Sequence, residues 1–210
     1  MSSATSTRER RRVDVWAALA GLACLAVGMV VVRHGSVPGW ERRGFRAVND
    51  LPGALYPVLW PFQQVGAVLV GPLVAVVALA TGRRRLAAAA AVVTMAKLVS
   101  ERAVKAVVSR DRPARSIGGD LHLRGDVEVT GESFVSGHAV LVAALAVVVA
   151  PYLPTRWRPV LWGLVVVVAV ARVYVGAHNP LDVVCGAGLG VALGSATNLA
   201  FGVPVQRDRS

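Results

Sequence analysis

Arg172-Val173-Tyr174-Val175-Gly176-Ala177-His178-Asn179-Pro180-Leu181-Asp182 joins two long apolar runs, residues 160–174 and 181–203. The junction carries a cation, an imidazole and a carboxylate. Such groups are costly in hydrocarbon, so their placement at the mouths of apolar helices points to function. The pattern recurs twice upstream. Lys105 and Arg112-Pro113 mark the end of the run 86–108, and Ser136-Gly137-His138 precedes the run 139–153. Read as membrane helices, these runs bring all three polar clusters to one face.

Composition agrees with a membrane reading. The chain has 210 residues, is 55% hydrophobic and has a mean hydropathy of +0.57. Its apolar residues come in blocks and not in short amphipathic faces. The first block, 13–32, is long enough for a hydrocarbon core of ~30 Å at ~1.5 Å per residue. Further blocks at 62–80, 86–108, 139–153, 160–174 and 181–203 give six expected spans. The expected fold is therefore all-α, a six-helix membrane bundle over 13–204. Flanking it are a disordered cytoplasmic tail, 1–12, and a second tail, 205–210. The fourth and fifth blocks are short, and Pro151 and Pro154 mark the turn between them, which implies a recessed mouth. Arg8, Arg10, Arg11 and Arg12 before the first block resemble a signal-peptide n-region, but the block is long and lacks a clear cleavage site, which favours a retained anchor.

The arginine runs set the orientation. Arg8–Arg12, Arg83-Arg84-Arg85, Arg156, Arg158, Arg207 and Arg209 fall in tails or short turns on one side, the positive-inside pattern of a multi-pass inner (plasma) membrane protein. The motif face, and with it His34, His122, His138 and His178, then looks to the exterior. The net charge of +11 is largely topogenic and does not indicate nucleic acid, since an aromatic-interleaved basic surface is absent. Anionic lipid headgroups are the natural partners. Cys24 and Cys185 both lie inside expected spans and define neither a disulfide framework nor a metal cluster.

The longest exterior connection, 109–135, carries Asp111, Asp120, Asp126, Glu128 and Glu132 with several glycines, and suits a cover over a site. Residues 40–48 mix charge with Trp40 and Phe45, compatible with an interfacial helix or with a solvated loop. Gly186, Ala187, Gly188, Gly190 and Gly194 form a small-residue stripe suited to close helix contact.

The polar clusters suit phosphoryl transfer. Asp182 follows His178 by four residues, so on a helix starting near Asn179-Pro180 its carboxylate faces the imidazole, fixes Nδ1–H and leaves Nε2 free as a nucleophile. Asp182 is equally suited to the first turn of a helix as a dipole-favoured acid. His138, at the start of the fourth span, can protonate a leaving oxygen. Ser136 and Gly137 let backbone N–H groups approach a phosphate. Lys105, Arg112 and Arg172 can neutralise its equatorial oxygens. Lys97, Glu101 and Lys105 lie i, i+4, i+8 on one face, an ion-paired ladder expected to orient Lys105 or to serve as a purely structural pair.

Together, Lys105-x6-Arg112-Pro113, Ser136-Gly137-His138 and Arg172-x5-His178-x3-Asp182 resemble the signature of the type 2 phosphatidic acid phosphatase (lipid phosphate phosphatase) superfamily, which is related to vanadium haloperoxidases. The resemblance covers roughly residues 86–203. It implies a phosphohistidine on His178, His138 as acid for the leaving group, and Asp182 as partner of His178. Lys105, Arg112, Ser136, Gly137 and Arg172 would bind phosphate, without metal or cofactor. Val135 stands where that family has Pro, and Ala171 where it has Ser.

The function expected is hydrolysis of a membrane lipid phosphomonoester or diphosphate, with a polyprenyl phosphate or a phosphatidic-acid-like phospholipid as substrate. A phosphotransferase using the same histidine and a non-catalytic phospholipid-binding protein are the alternatives. A channel or transporter fits less well, because apart from Lys97 the cytoplasmic halves of the spans are Ala, Val and Leu. Oligomeric state is not legible.

Overall fold

The computed structural model describes residues 8–205. Among them, helices run α1 (Arg12–Val32), α2 (Gly39–Asn49), α3 (Tyr56–Val65), α4 (Val70–Ala80), α5 (Arg84–Val107), α6 (Pro113–Ser116), α7 (Gly137–Val149), α8 (Arg158–Tyr174) and α9 (Pro180–Phe201). The fold is all-α apart from one short antiparallel pairing of β1 (Arg8–Glu9) with β2 (Val203–Pro204). That pairing corrects part of the expected disordered tail: backbone hydrogen bonds, together with Arg8 donating to the Gly202 carbonyl at 3.2 Å, hold residues 8 and 9 against the end of α9. Residues 1–7 and 206–210, including Arg207 and Arg209, lie outside the described residues.

At the centre is α7. From Ala139 to Val148 every residue is buried, as expected of a helix apolar on all sides and wrapped by others. Its closest neighbour is α9, which runs parallel to it: Gly186, Gly190 and Gly194, spaced four apart, face Ala139, Ala143 and Val147 in turn. A Cβ at Gly186 would lie 2.8 Å from the Ser136 carbonyl oxygen, one at Gly194 2.7 Å from Val147 Cβ, and one at Gly190 would fall on the Val140 carbonyl. The expected small-residue stripe is thus a helix contact that only glycine permits. On its other side α9 meets α1, where Gly21 and Gly28 sit against Gly188 and Cys185. Cys24 and Cys185 are free thiols at this contact.

Around that three-helix core the apolar blocks behave differently from one another. Arg12–Val32, Thr155–Tyr174 and Pro180–Phe201 are each long and apolar enough to cross a membrane. The block 62–80 is broken into α3 and α4, which meet at 62° and make one further span if taken together. Helix α5 has 24 residues but carries Lys97, Glu101, Arg102 and Lys105, and Gly137–Tyr152 is a shorter apolar helix. Its shortness fits its position, since α7 is shielded by neighbours along its whole length. Residues 40–48 are helical: α2 buries Glu41, Phe45 and Asn49 on one face and exposes Trp40.

Gly190→Val is expected to force α7 and α9 apart and to cost about 1–3 kcal/mol of stability, the usual range for overpacking. Thermal unfolding of the detergent-purified variant checks this; a wild-type melting temperature would refute the close α7–α9 contact.

Candidate active site

Parallel packing of α7 and α9 sets two helix N-termini side by side, each with a positive dipole end. The Ser136 N–H donates to the Asp182 carbonyl oxygen at 2.9 Å, so the first turns of the two helices are joined directly. Helix α8 runs back the other way and ends beside them, carrying Arg172 in its last turn. The connection 175–179 then delivers His178 between the two starts. The sequence motifs, 67 residues apart in the case of Lys105 and Arg172, therefore converge because four helices, α5, α7, α8 and α9, end or begin on one face.

His178 is buried, and its Nδ1 stands 3.6 Å from Asp182 Oδ2. This is an ionic approach and longer than a hydrogen bond. The expected direct Nδ1–H bond is not formed, and both Asp182 oxygens have other donors. Oδ2 accepts the Asn179 N–H at 2.8 Å, and Oδ1 accepts from Arg110 at 2.7 Å. Asp182 is thus both an early-turn acid of α9 and the carboxylate that faces the imidazole. Burial pushes the His178 imidazole below its ordinary pKa, Asp182 pulls against that shift, and Arg172 and Arg112 add to it.

The three cations are held in different ways. Lys105 Nζ lies 2.7 Å from Glu101 Oε1, and Lys97 Nζ 2.7 Å from Glu101 Oε2, so the expected ladder is present. Its middle carboxylate does more than bridge lysines. A Cβ added at Gly137 would come within 2.7 Å of Glu101 Cδ, which places that carboxylate against the first turn of α7. The close approach anticipated at Gly137 for a phosphate oxygen is made here by Glu101. Arg112 donates to the carbonyls of Thr130 (2.9 Å) and Ala177 (3.2 Å) and to Glu128 Oε2 (2.6 Å). Arg172 donates to Gln63 Oε1 at 2.9 Å.

Five buried side-chain polar atoms here have no hydrogen-bond partner: Ser136 Oγ, Arg172 Nε, His178 Nδ1, Arg110 Nε and Asn179 Oδ1. His178 Nδ1 faces Asp182, but buried polar atoms are nearly always satisfied, so Ser136 Oγ and Arg172 Nε mark a place built for a polar ligand. A cavity of about 330 Å³ opens onto Arg172 and His138, with Tyr56, Trp60, Gln63 and Arg124 around it. His178, Lys105, Arg112 and Ser136 do not line it. His138 is fixed by the break between α3 and α4, where a Cβ at Gly66 would stand 2.7 Å from its Cβ.

Several contributors escaped the sequence reading. Gln63 was hidden in an apolar block and Arg110 in a connection already credited with Arg112. Glu41 lay in a segment whose helicity was open; the only available signal was the spacing of Glu41, Phe45 and Asn49 on one helical face. The 109–135 connection is pinned, and not merely laid over the site. Asn49 donates to the His122 and Tyr174 carbonyls at 2.9 Å each, and Arg124 stacks 4.1 Å from the Tyr174 ring centroid while donating to its carbonyl at 2.7 Å.

The PAP2 superfamily model matches residues 85–203, which hold every motif described above. The chain belongs to the PAP2 superfamily. Two solved structures share its fold. The crystal structure of Aquifex aeolicus LpxE superposes with a TM-score of 0.66 over 74% of this chain and 92% of that one, at 24% identity. The first transmembrane PAP2 type phosphatidylglycerolphosphate phosphatase from Bacillus subtilis gives a TM-score of 0.71 over 87% and 94%, at 18% identity. No curated protein matches in sequence. With its apolar helices, this PAP2 chain is a membrane-embedded protein.

Glu128 is mostly exposed, yet it takes one nitrogen of a buried arginine, Arg112. Glu128→Gln is expected to remove the counter-charge from that nitrogen and tighten binding of inorganic phosphate about two- to fivefold, the worth of an exposed ion pair. Calorimetric titration of the detergent-purified protein reads this; unchanged affinity would show that anions bind elsewhere.

Proposed function

We propose that this protein is an integral membrane lipid phosphatase that cleaves a phosphomonoester or diphosphate of a polyprenyl or phosphatidic-acid-like lipid. The observation that carries the reading is the convergence of His178, His138 and three cations on two adjacent helix N-termini, with Ser136 Oγ, Arg172 Nε and His178 Nδ1 unpartnered. Phosphoryl transfer needs positioning and charge stabilisation above all, and this cluster supplies both. Membership of the PAP2 superfamily and a fold shared with a phosphatidylglycerolphosphate phosphatase support it.

In this reading Lys105, Arg112 and Arg172, with the Ser136 hydroxyl and the backbone of Gly137, hold the phosphoryl oxygens. The Nε2 lone pair of His178 forms an N–P bond while the P–O bond to the lipid breaks, and His138 gives its proton to the departing oxygen. Water then loses a proton to His138 and attacks phosphorus, and the N–P bond breaks to release phosphate. Asp182 offsets the positive charge that grows on the His178 ring. Chemistry of this kind needs no metal.

The bundle is read as six passes with the site at the exterior face. Arg8, Arg10 and Arg85 gather around Phe201 and Gly202 at the far end of α9 from Asp182, which fits a basic cytoplasmic face.

His178→Ala and His138→Ala are each expected to abolish phosphate release from a panel of polyprenyl diphosphate, polyprenyl phosphate, phosphatidic acid and phosphatidylglycerol phosphate, while EDTA leaves the wild type active. Persistent turnover by purified His178→Ala would remove the nucleophile, and chelator sensitivity would favour a metal-assisted route. A phosphotransferase would instead show product only when a lipid or sugar hydroxyl acceptor is added.

Since the folded pKa of His178 lies below its ordinary value, the neutral nucleophile survives acidification further than a free imidazole does. The acidic limb of kcat/KM should fall below about pH 6.5. A limb at or above that value in a pH–rate profile would contradict the buried setting of His178.

A further inference from the structure

Arg110 is the largest fully buried side chain among the described residues, and none of the motifs includes it. Its fork divides between two carboxylates. One nitrogen donates to Asp182 Oδ1 at 2.7 Å, the other to Glu41 Oε2, and all three side chains are shielded from solvent. The second Glu41 oxygen accepts the Leu181 N–H at 2.8 Å, tying α2 to the first turn of α9. Asp182 and Glu41 hold the Arg110 pKa above its usual range in spite of burial, so the group is cationic.

A charge balance follows. Arg110 and Asp182 alone sum to zero and would leave nothing facing the His178 ring; Glu41 returns the cluster to one net negative charge. The remaining neighbours of His178 pull the other way: Arg172 on α8 and Arg112 in the 109–135 connection are cations, partly offset by Glu128, and His138 on α7 is a second imidazole close by. Glu132 accepts the Arg110 backbone N–H and leaves the guanidinium to the other two acids. Truncating one member of a buried charge set exposes the others uncompensated.

We infer that Glu41 and Arg110 are positioning residues that, through Asp182, set the charge under which His178 works. This rests on the reading of His178 as nucleophile. Removing the Glu41 charge leaves an electroneutral pair beside a ring that must become cationic during attack. Removing Arg110 at the same time restores the single negative charge of Asp182.

The test follows the His178 titration by NMR of protein labelled with ¹⁵N-histidine in detergent, assigned with His178→Asn, alongside kcat and KM. Glu41→Gln is expected to lower the His178 midpoint by about one pH unit and kcat about tenfold, with KM within about twofold. Arg110→Met, the opposite change in charge, should raise the midpoint. The Glu41→Gln/Arg110→Met double variant should return the midpoint to near wild type and recover most of the lost kcat, whereas a merely structural pair would leave the double variant worse than either single one. An unmoved midpoint in Glu41→Gln, or a double variant below the single one, overturns the inference. Should Glu41→Gln fail to fold, the Arg110→Met midpoint decides: no rise overturns it. A wild type that cleaves no lipid phosphate would remove the phosphatase reading, while the titrations would still decide the charge balance.

Discussion

The backbone-to-backbone approach of α7 and α9 is the constraint on which the rest depends. Two parallel helices in contact bring like dipole ends together, an arrangement that an anion between them relieves. Glycines at 186, 190 and 194 make the contact possible, and the Ser136–Asp182 backbone hydrogen bond fixes its register. Any side chain on that stripe would separate Ser136-Gly137-His138 from His178-x3-Asp182. The core packing and the geometry of the site are therefore one requirement.

A second consequence of that contact is electrostatic. Two positive helix ends and several cations in an apolar setting need counter-charge before any substrate arrives. The protein supplies it internally: Glu101 at the start of α7, Glu128 on Arg112, and Glu41 with Asp182 on Arg110. Of these, Glu128 alone is mostly exposed, which makes it the counter-ion most easily exchanged for a phosphate.

Much of this was legible in the chain because membrane helices announce themselves by composition and their mouths by polar interruptions. Lys105, Arg112, His138, Arg172, His178 and Asp182 stood out for that reason, and the Lys97–Glu101–Lys105 ladder followed from helical spacing alone. What spacing could not reveal were pairings between segments remote in sequence: Gln63 on Arg172, and Glu41 and Asp182 on Arg110. The His178–Asp182 spacing correctly placed the two groups face to face, but it did not show that both carboxylate oxygens were already engaged. Nor did hydropathy reveal the break in the block 62–80, since residues 66–69 are as apolar as their neighbours; the bend instead follows from seating Gly66 on His138.

The small β1–β2 pairing has a topological reach larger than its size. Because Arg8–Glu9 and Val203–Pro204 are hydrogen-bonded to each other, the two ends of the described chain lie in one compartment, and the number of bilayer crossings must be even. Three helices long and apolar enough to cross, with the bent α3–α4 pair, already make an even set. The charged α5 and the short α7 are consequently bound to a common fate: both traverse the bilayer, or neither does.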